Sequence, residues 1–186
     1  DVMKLADKAY APITYSGMGR KYLRKNLVDG KNILTQEMLP SANTIYIIQY
    51  DYDLNGATIT IPENCTLDFQ GGSLGNGTIQ GNKTRIKATQ DLIFKEIQRG
   101  GSYVVDSVFP QWFGAIGNGI DADSAAIQSA VDFCAYSAIG YYGEVTGLTI
   151  KIPAGVYYID STITIPENSG VNIVGEGHTK SILWAK

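Results

Sequence analysis

The chain has 186 residues, 44% hydrophobic and 18% charged, with a formal net charge of −3, a composition that excludes an intrinsically disordered protein. Its two cysteines, Cys65 and Cys134, are too few for a disulfide scaffold and are interpreted as buried free thiols. No apolar run reaches the roughly 18–20 residues of a membrane span, and no stripe of basic and aromatic residues indicates nucleic-acid binding.

Residues 1–43 show no regular period and are predicted to form an extended N-terminal attachment arm. The first 31 residues carry seven Lys or Arg against three Asp, so this leader has a charge of +4 and the remaining residues a charge of −7. A basic leader of this kind favours docking onto an acidic protein surface. Thr35 is predicted to cap a single helical turn that stops before Pro40.

Residues 44–108 contain short alternating strands separated by Asn-Gly and Gly-Gly turns, which predicts a small β-solenoid-like module. Within it, Thr58–Asn64 has the sequence TITIPEN, and the same seven residues return at 162–168. The Thr/Ile alternation places both isoleucines of each copy on one face of a strand, which the proline ends. Because each copy is followed by another strand and a glycine turn, the repeat predicts two coiled β segments whose isoleucines point inward.

Residues 109–122 are predicted to be a linker, and residues 123–186 to form a capping helix with the first rungs of a second coil. Asp123 or Ser124 is predicted to cap the helix. We expect the helix to cover the open end of the coil, because an uncovered first rung invites edge pairing. Since an apolar run directly precedes Lys186, we expect the chain to be a piece of a longer protein. The apolar stripe of the helix comprises Ile127, Ala130, Val131, Cys134 and Ala138.

Few residues offer chemistry. Asp51, Asp53 and Asp68 are predicted on outward strand faces and are interpreted as solvated charges; the alternative is a carboxylate pair for glycoside hydrolysis or an aspartate cluster for Ca²⁺. His178 is the only histidine in the sequence, so neither a Ser-His-Asp triad nor a His-based metal cluster is predicted. The loop Gly175–Ser181 lacks the Gly-Lys pair of a phosphate loop and is interpreted as a corner. No catalytic, cofactor-binding or metal-binding residue is therefore assigned.

Two tyrosine pairs are candidates for stacking on sugar rings or for a subunit interface. Tyr157, in the pair Tyr157-Tyr158, is interpreted as core. Tyr141 and Tyr142 lie in a predicted loop and are the better contact candidates, but ordinary packing is the leading interpretation for them as well.

The segment from Trp112 to Leu183 resembles the opening of pectin-lyase-fold proteins. Phe113–Gly119 matches the aromatic-Gly-Ala-x-Gly-Asp-Gly motif of that family, Pro153–Tyr157 its Pro-x-Gly-x-Tyr motif, and Thr162–Pro166 its Thr-x-x-Ile-Pro strand. Within the first motif Asn118 replaces the usual aspartate and is interpreted as a turn residue. The resemblance implies an all-β fold, a right-handed parallel β-helix that begins with a capping α-helix.

The earlier part of the chain is similar to a narrower group, the leaders of tail-fibre or tailspike-like proteins of phages that infect gut Bacteroides, including crAss-like phages. This resemblance implies a structural virion component and homotrimer that attaches to other tail proteins through its arm. A distal β-helix would then bind a host surface polysaccharide or receptor. The alternative is the N-terminal part of a polysaccharide lyase or glycoside hydrolase, with its active site beyond Lys186. The segments that carry the resemblance are Ser16–Gly19, Leu23–Asn26, Asn32–Met38 and Asp53–Gly56.

Overall fold

A computed structural model describes residues 18–137, 148–167 and 169–185 of the chain. They form two compact units: the first consists of residues up to Thr89 together with Lys95–Val104, and the second of Gln90–Phe94 together with the residues from Val105 onward. Strands predominate in both units, and one α-helix occurs within the described ranges. In the same ranges no helix combines the length and the apolar character needed to cross a membrane.

Over its described residues, the first unit is built from seven strands of two to five residues, two longer strands and one 3-10 turn, Gln36–Met38. The last of its strands, β9, begins with Phe94, which belongs to the second unit. In chain order the strands are β1 Gly19–Tyr22, β2 Leu27–Val28, β3 Lys31–Asn32, β4 Thr44–Ile48, β5 Asp51–Asp53, β6 Thr58–Thr60, β7 Thr66–Phe69, β8 Ser73–Lys87 and β9 Phe94–Val104.

Strand pairing in the first unit follows a nearly constant step along the sequence. A chain that returns beside itself in parallel after each turn of this size forms stacked rungs, the arrangement of a β-solenoid. The inward side chains of neighbouring rungs, such as Ile59 and Ile79, are buried and form the core. The parallel partners lie 19 to 22 positions apart: Ile45 with Thr66, Asp51 with Ser73, Thr58 with Thr78, and Thr66 with Arg85.

Asparagines form the corners between these strands. Four of them have left-handed backbone angles, with φ between 50 and 57°. Asparagine tolerates this conformation better than most residues because its short polar side chain bonds locally. The predicted turn at Asn55-Gly56 is confirmed, whereas Asn76-Gly77 lies within the long strand β8, where the left-handed backbone of Asn76 is a local irregularity and not a turn. The four residues are Asn43, Asn55, Asn64 and Asn76.

Residues 18–43, where the sequence predicts an extended arm, lie on the first unit. Strand β1 pairs in parallel with β4, beginning with Gly19 opposite Thr44, and β2 and β3 form an antiparallel hairpin. The predicted helical turn is the three-residue 3-10 turn, and the Thr35 side chain makes no capping hydrogen bond to it. This part of the leader is therefore ordered by pairing with a sheet edge. Residues 1–17 lie outside the described residues.

The second unit contains α1 and two sets of parallel strands. Helix α1 contacts β11 and β12, as predicted for a helix that covers the start of the coil, and its stripe from Ile127 to Cys134 is buried. Ala138 lies outside the described residues. The segment predicted as a linker supplies a 3-10 turn and β10. The elements are the turn Pro110–Phe113, β10 Asn118–Ala122, α1 Ser124–Ser137, β11 Thr149–Ile152, β12 Gly155–Ile159, β13 Asn172–Gly175 and β14 Ser181–Ala185.

The two copies of the seven-residue repeat differ in structure. In the first copy Ile59 is 2% exposed and Ile61 is also buried, because β6 pairs with β8. In the second copy residues 162–166 form no strand, and Ile165 is 50% exposed. The prediction of inward isoleucines is thus confirmed for the first copy and wrong for Ile165. The physical reason is pairing, since no strand of the described ranges lies beside the second copy.

A glutamine side chain bonds to the backbone of each copy. Gln36 donates through Nε2 to the Thr60 carbonyl at 2.9 Å, and its Oε1 accepts from the Thr60 N–H at 2.8 Å. Gln128 of α1 makes the same two bonds with Thr164, at 2.9 and 2.7 Å. A side-chain amide carries the donor and acceptor of a peptide group, so at Thr60 it takes the place of a neighbouring strand beside β6. At Thr164, which lies outside the strands, it bonds the N–H and the carbonyl of an unpaired segment. We call this arrangement the glutamine clamp.

Candidate functional site

An open groove of about 440 Å³ lies in the first unit, bordered by β3, β5, β8 and the start of β9. Most of the residues that line it are polar by type, and Gly75 contributes no side chain. Asp51 and Asp53 occupy alternate positions of β5 and therefore point to the same face. The structure thus brings together two of the three aspartates that the sequence singled out. The polar lining includes Lys31, Asp51, Asp53, Ser73, Asn76 and Lys95.

Asp51 is held by partners from the next two rungs. Its Oδ1 accepts a hydrogen bond from Ser73 Oγ at 2.7 Å, and its Oδ2 accepts one from Lys95 Nζ at 3.0 Å. The hydrogen bond from Ser73, with a further contribution from Lys95, lowers the pKa of the Asp51 carboxyl. Asp51 is therefore ionised at neutral pH.

Asp53 is held mainly by its own corner and by the corner of the next rung. Its Oδ1 accepts from the Asn55 backbone N–H at 2.7 Å and from Asn76 Nδ2 at 2.9 Å. Lys31 Nζ lies 3.4 Å from Oδ2. The bond from the Asn55 N–H, followed by that from Asn76, lowers the pKa of the Asp53 carboxyl.

These lowered pKa values bear on the chemistry of the pair. Glycoside hydrolysis needs one carboxylic acid whose pKa is raised, so that it can donate a proton to the leaving group. Asp51 and Asp53 are both shifted the other way. The pair is therefore suited to accepting hydrogen bonds from a bound molecule, and not to acting as a general acid.

Asp68 lies apart from this pair, on β7. It is 6% exposed, and its Oδ2 accepts from Gln70 Nε2 at 3.0 Å and from Lys87 Nζ at 3.1 Å. The prediction of a solvated, outward carboxylate is therefore wrong for Asp68, because Gln70 and the facing residue of the next rung, Lys87, enclose it. In the part of the chain that the structure describes, no three His, Cys, Asp or Glu side chains are grouped to hold a metal ion.

The second unit contains the motif segment Phe113–Gly119, which we call the motif loop. This loop is organised around Asp123, which is 1% exposed. Its carboxylate accepts from the backbone N–H groups of Ile116 at 2.7 Å, Gly117 at 3.3 Å and Tyr158 at 3.2 Å. Ser124, the other predicted helix cap, accepts through Oγ from two backbone N–H groups just after β12. The two side chains thus join the motif loop, the start of α1 and β12. Sequence reasoning missed this role, because it depends on contacts with β12.

Asn118, at the position where the resembling family has aspartate, forms a turn. Its Oδ1 accepts from the N–H groups of Ile120 and Asp121 at 2.9 and 3.0 Å, and its Nδ2 donates to Asp121 Oδ2 at 2.7 Å. The interpretation of Asn118 as a turn residue is confirmed. The motif is therefore structural at this position.

Tyr157 and Tyr158 point to opposite faces of β12. Tyr157 is buried, donates to the Pro153 carbonyl at 3.1 Å and accepts from Gln111 Nε2 at 2.7 Å, which confirms its prediction as core. Burial raises the pKa of the Tyr157 hydroxyl. Tyr158 lies beside the exposed Trp184 of the next rung, with ring centroids 5.2 Å apart. Sequence analysis missed this aromatic pair, although strand alternation from the buried Tyr157 indicates it. Tyr141 and Tyr142 lie outside the described residues.

Two further interpretations are confirmed. Cys65 and Cys134 are both buried, as predicted. The Gly175–Ser181 loop is a corner in which the Glu176 N–H donates to Ser181 Oγ at 2.8 Å, and His178 is exposed there.

Comparisons with known proteins bear mainly on the second unit. Residues 110–186 match the family model described as rhamnogalacturonase A/epimerase, pectate lyase-like. The mannuronan C5-epimerases AlgE2 and AlgE5 of Azotobacter vinelandii are each 38% identical over 78 residues, which cover 38% of this chain and 7% of each relative. The chain therefore spans a small part of the length of these curated relatives. No solved structure matches the chain. Together with the parallel strands, these similarities indicate a pectate lyase-like domain in the second unit and favour the polysaccharide-active β-helix family.

Proposed function

We propose that this chain is the non-catalytic opening of a right-handed parallel β-helix that engages a polysaccharide. The observation that carries the proposal concerns Asp123, whose carboxylate is buried in the pectate lyase-like segment. This carboxylate accepts hydrogen bonds from backbone N–H groups of the same unit. A carboxylate committed in this way starts and holds the coil, and offers no group to a substrate.

More finely, the protein is the tail-proximal part of a bacteriophage tail fibre or tailspike, a homotrimer located in the virion. It attaches to other tail proteins through its leader, residues 1–43, and carries a distal β-helix for host adsorption. Support comes from the resemblance of the leader to such proteins and from its charge of +4 over the first 31 residues. A basic leader is suited to an acidic partner surface.

The similarity to mannuronan C5-epimerases favours a second candidate. In it, the chain begins an enzyme that modifies or degrades a polysaccharide, with the reactive groups outside this chain. In both candidates the described residues serve as a scaffold.

Two measurements test these proposals. The chain is incubated with alginate, pectate and rhamnogalacturonan, and the products are followed by NMR for C5 inversion and by absorbance for unsaturated uronates. We expect no turnover, and turnover by the chain itself would contradict a non-catalytic role. Antibodies raised against the chain are then used for immunogold labelling of phage particles. Labelling at the tail is expected, and labelling of the bacterial envelope or of secreted material instead would favour the enzyme.

A further inference from the structure

The groove of the first unit lies outside residues 110–186 and plays no part in the function proposed above. We propose that this groove binds an uncharged, polyhydroxylated ligand, namely a segment of a neutral saccharide. The inference goes beyond the proposed function, since it assigns a binding site to the unit that lies outside the family match over residues 110–186.

The charge of the groove argues for an uncharged ligand. Lys31 and Lys95 face three carboxylates, those of Asp51, Asp53 and Glu96, so the lining has a net charge of −1. The two ion pairs, Lys31–Asp53 and Lys95–Asp51, cancel most of the field that would attract an anion or a cation. A uronate, a phosphate or a metal ion would each be opposed by one partner of each pair.

The hydrogen-bonding groups of the groove match hydroxyl groups. A hydroxyl donates and accepts at the same time, whereas an ammonium only donates and a carboxylate only accepts. The Nζ of Lys95 has three donors and spends one on Asp51, and the Nζ of Lys31 has three and spends one on Asp53. Each Lys–Asp pair therefore presents unused donors beside acceptor lone pairs. Adjacent hydroxyls of a sugar ring require this combination.

The site is already oriented before a ligand arrives. Ser73 fixes the Asp51 carboxylate, and Asn76 fixes that of Asp53. Binding then costs less side-chain entropy than it would at freely rotating aspartates. At Gly75 the backbone packs closely against the next rung, because an added Cβ would lie 3.2 Å from the Lys95 carbonyl oxygen.

A peptide fits the groove less well. Peptide sites combine an unpaired strand edge with pockets for apolar side chains. Tyr52 is the one aromatic residue of this lining, and it is buried with its hydroxyl donated to the Arg24 carbonyl at 2.8 Å. The remaining lining residues are polar or glycine.

The test is an NMR titration of the full chain, labelled with ¹⁵N, with glucose, galactose, mannose and N-acetylglucosamine, and with galacturonate as the charged counterpart. We expect the neutral sugars to shift the amide signals of residues 31–32, 51–55 and 73–76. The double variant Asp51→Ala/Lys95→Ala should weaken binding about tenfold, the factor that corresponds to one charge-assisted hydrogen bond. Its amide spectrum without sugar shows whether the fold is retained.

A matched control exists in the same unit. The exposed pair Lys83–Glu63, with 2.7 Å between Nζ and Oε1, lies outside the groove lining. The variant Glu63→Ala/Lys83→Ala should bind the sugars like the native protein. The proposal is overturned if none of the neutral sugars shifts the groove amides at high millimolar concentration, if galacturonate binds more tightly than all of them, or if the control weakens binding equally. The readout depends neither on turnover nor on virion labelling, so it fails or succeeds separately from the proposed function.

Discussion

Replacement of Asp123 by alanine tests the central contact of the second unit. The change removes the acceptor of three backbone N–H groups, those of Ile116, Gly117 and Tyr158. An orphaned buried N–H costs about 1–3 kcal/mol, so we expect a loss of about 3–5 kcal/mol of unfolding free energy, with water relieving part of the sum. Asp123→Asn keeps an acceptor for the loop but sets its NH₂ against the Tyr158 N–H, and should cost about 2 kcal/mol.

The assay is amide hydrogen exchange of the full chain, combined with urea unfolding followed by tryptophan fluorescence. Hydrogen exchange reports the three affected amides directly, without assuming that the two units unfold together. The matched control is Asp121→Ala. Asp121 is exposed and accepts one side-chain bond, from Asn118 at 2.7 Å, so its loss should cost about 0.5 kcal/mol or less.

The result that would refute this reasoning is equally specific. If Asp123→Ala shifts the urea midpoint no more than Asp121→Ala does, and if the amides of Ile116, Gly117 and Tyr158 keep their protection, then Asp123 does not hold the motif loop. The proposal that this carboxylate is committed to structure would lose its basis.

Three further changes probe other parts of the two units. Gln36→Ala removes both bonds to Thr60 and should lower the free energy of unfolding by about 1 kcal/mol. Because the edge of β6 is then open to pairing, light scattering from aggregates should increase over time. Unchanged scattering would contradict a protective role of the glutamine clamp. The pKa values of Asp51 and Asp53 are lowered from their ordinary value of 3.8, so their ionised forms stabilise the fold above that pH and the contribution is lost as pH falls below it. The urea midpoint of the native protein should therefore fall more steeply on acidification than that of Asp51→Asn/Asp53→Asn, and parallel curves would count against the effect. Gly117→Ala should lower the urea midpoint by the equivalent of about 1–3 kcal/mol. The reason is that Gly117 has φ of 67° and that a Cβ there would lie 3.0 Å from the buried ring of Tyr157. An unchanged midpoint would show that the loop tolerates a side chain.

Features that depend on neighbours in sequence were predictable. The helix stripe from Ile127 to Cys134, the strands β11 to β14 and the turn at Asn55-Gly56 each follow from a period or a dipeptide and are found where predicted. The exposure of Ile165 was not predictable, because its sequence is identical to that around Ile61 and only the presence of a pairing strand differs.

The groove in the first unit shows why contacts between residues of different rungs were not predicted from the sequence. Asp51, Ser73 and Lys95 are spaced 22 positions apart, one step of the coil, yet no sequence motif repeats at that spacing. Their meeting depends on the number of residues in each turn, which the register of the strands fixes. Asp68 was misjudged for a related reason, since its partner Lys87 faces it from the next rung.

The glutamine clamp has a consequence for how such a chain can be rebuilt. The glutamine of one clamp lies on a three-residue 3-10 turn, and that of the other lies on a helix of 14 residues. The glutamine clamp therefore does not require one particular kind of supporting element. Each unit contains its own glutamine clamp, at Gln36 in the first and at Gln128 in the second. Recombination that exchanges either module would keep the backbone of Thr60 or of Thr164 hydrogen-bonded, provided that the glutamine amide is retained in place.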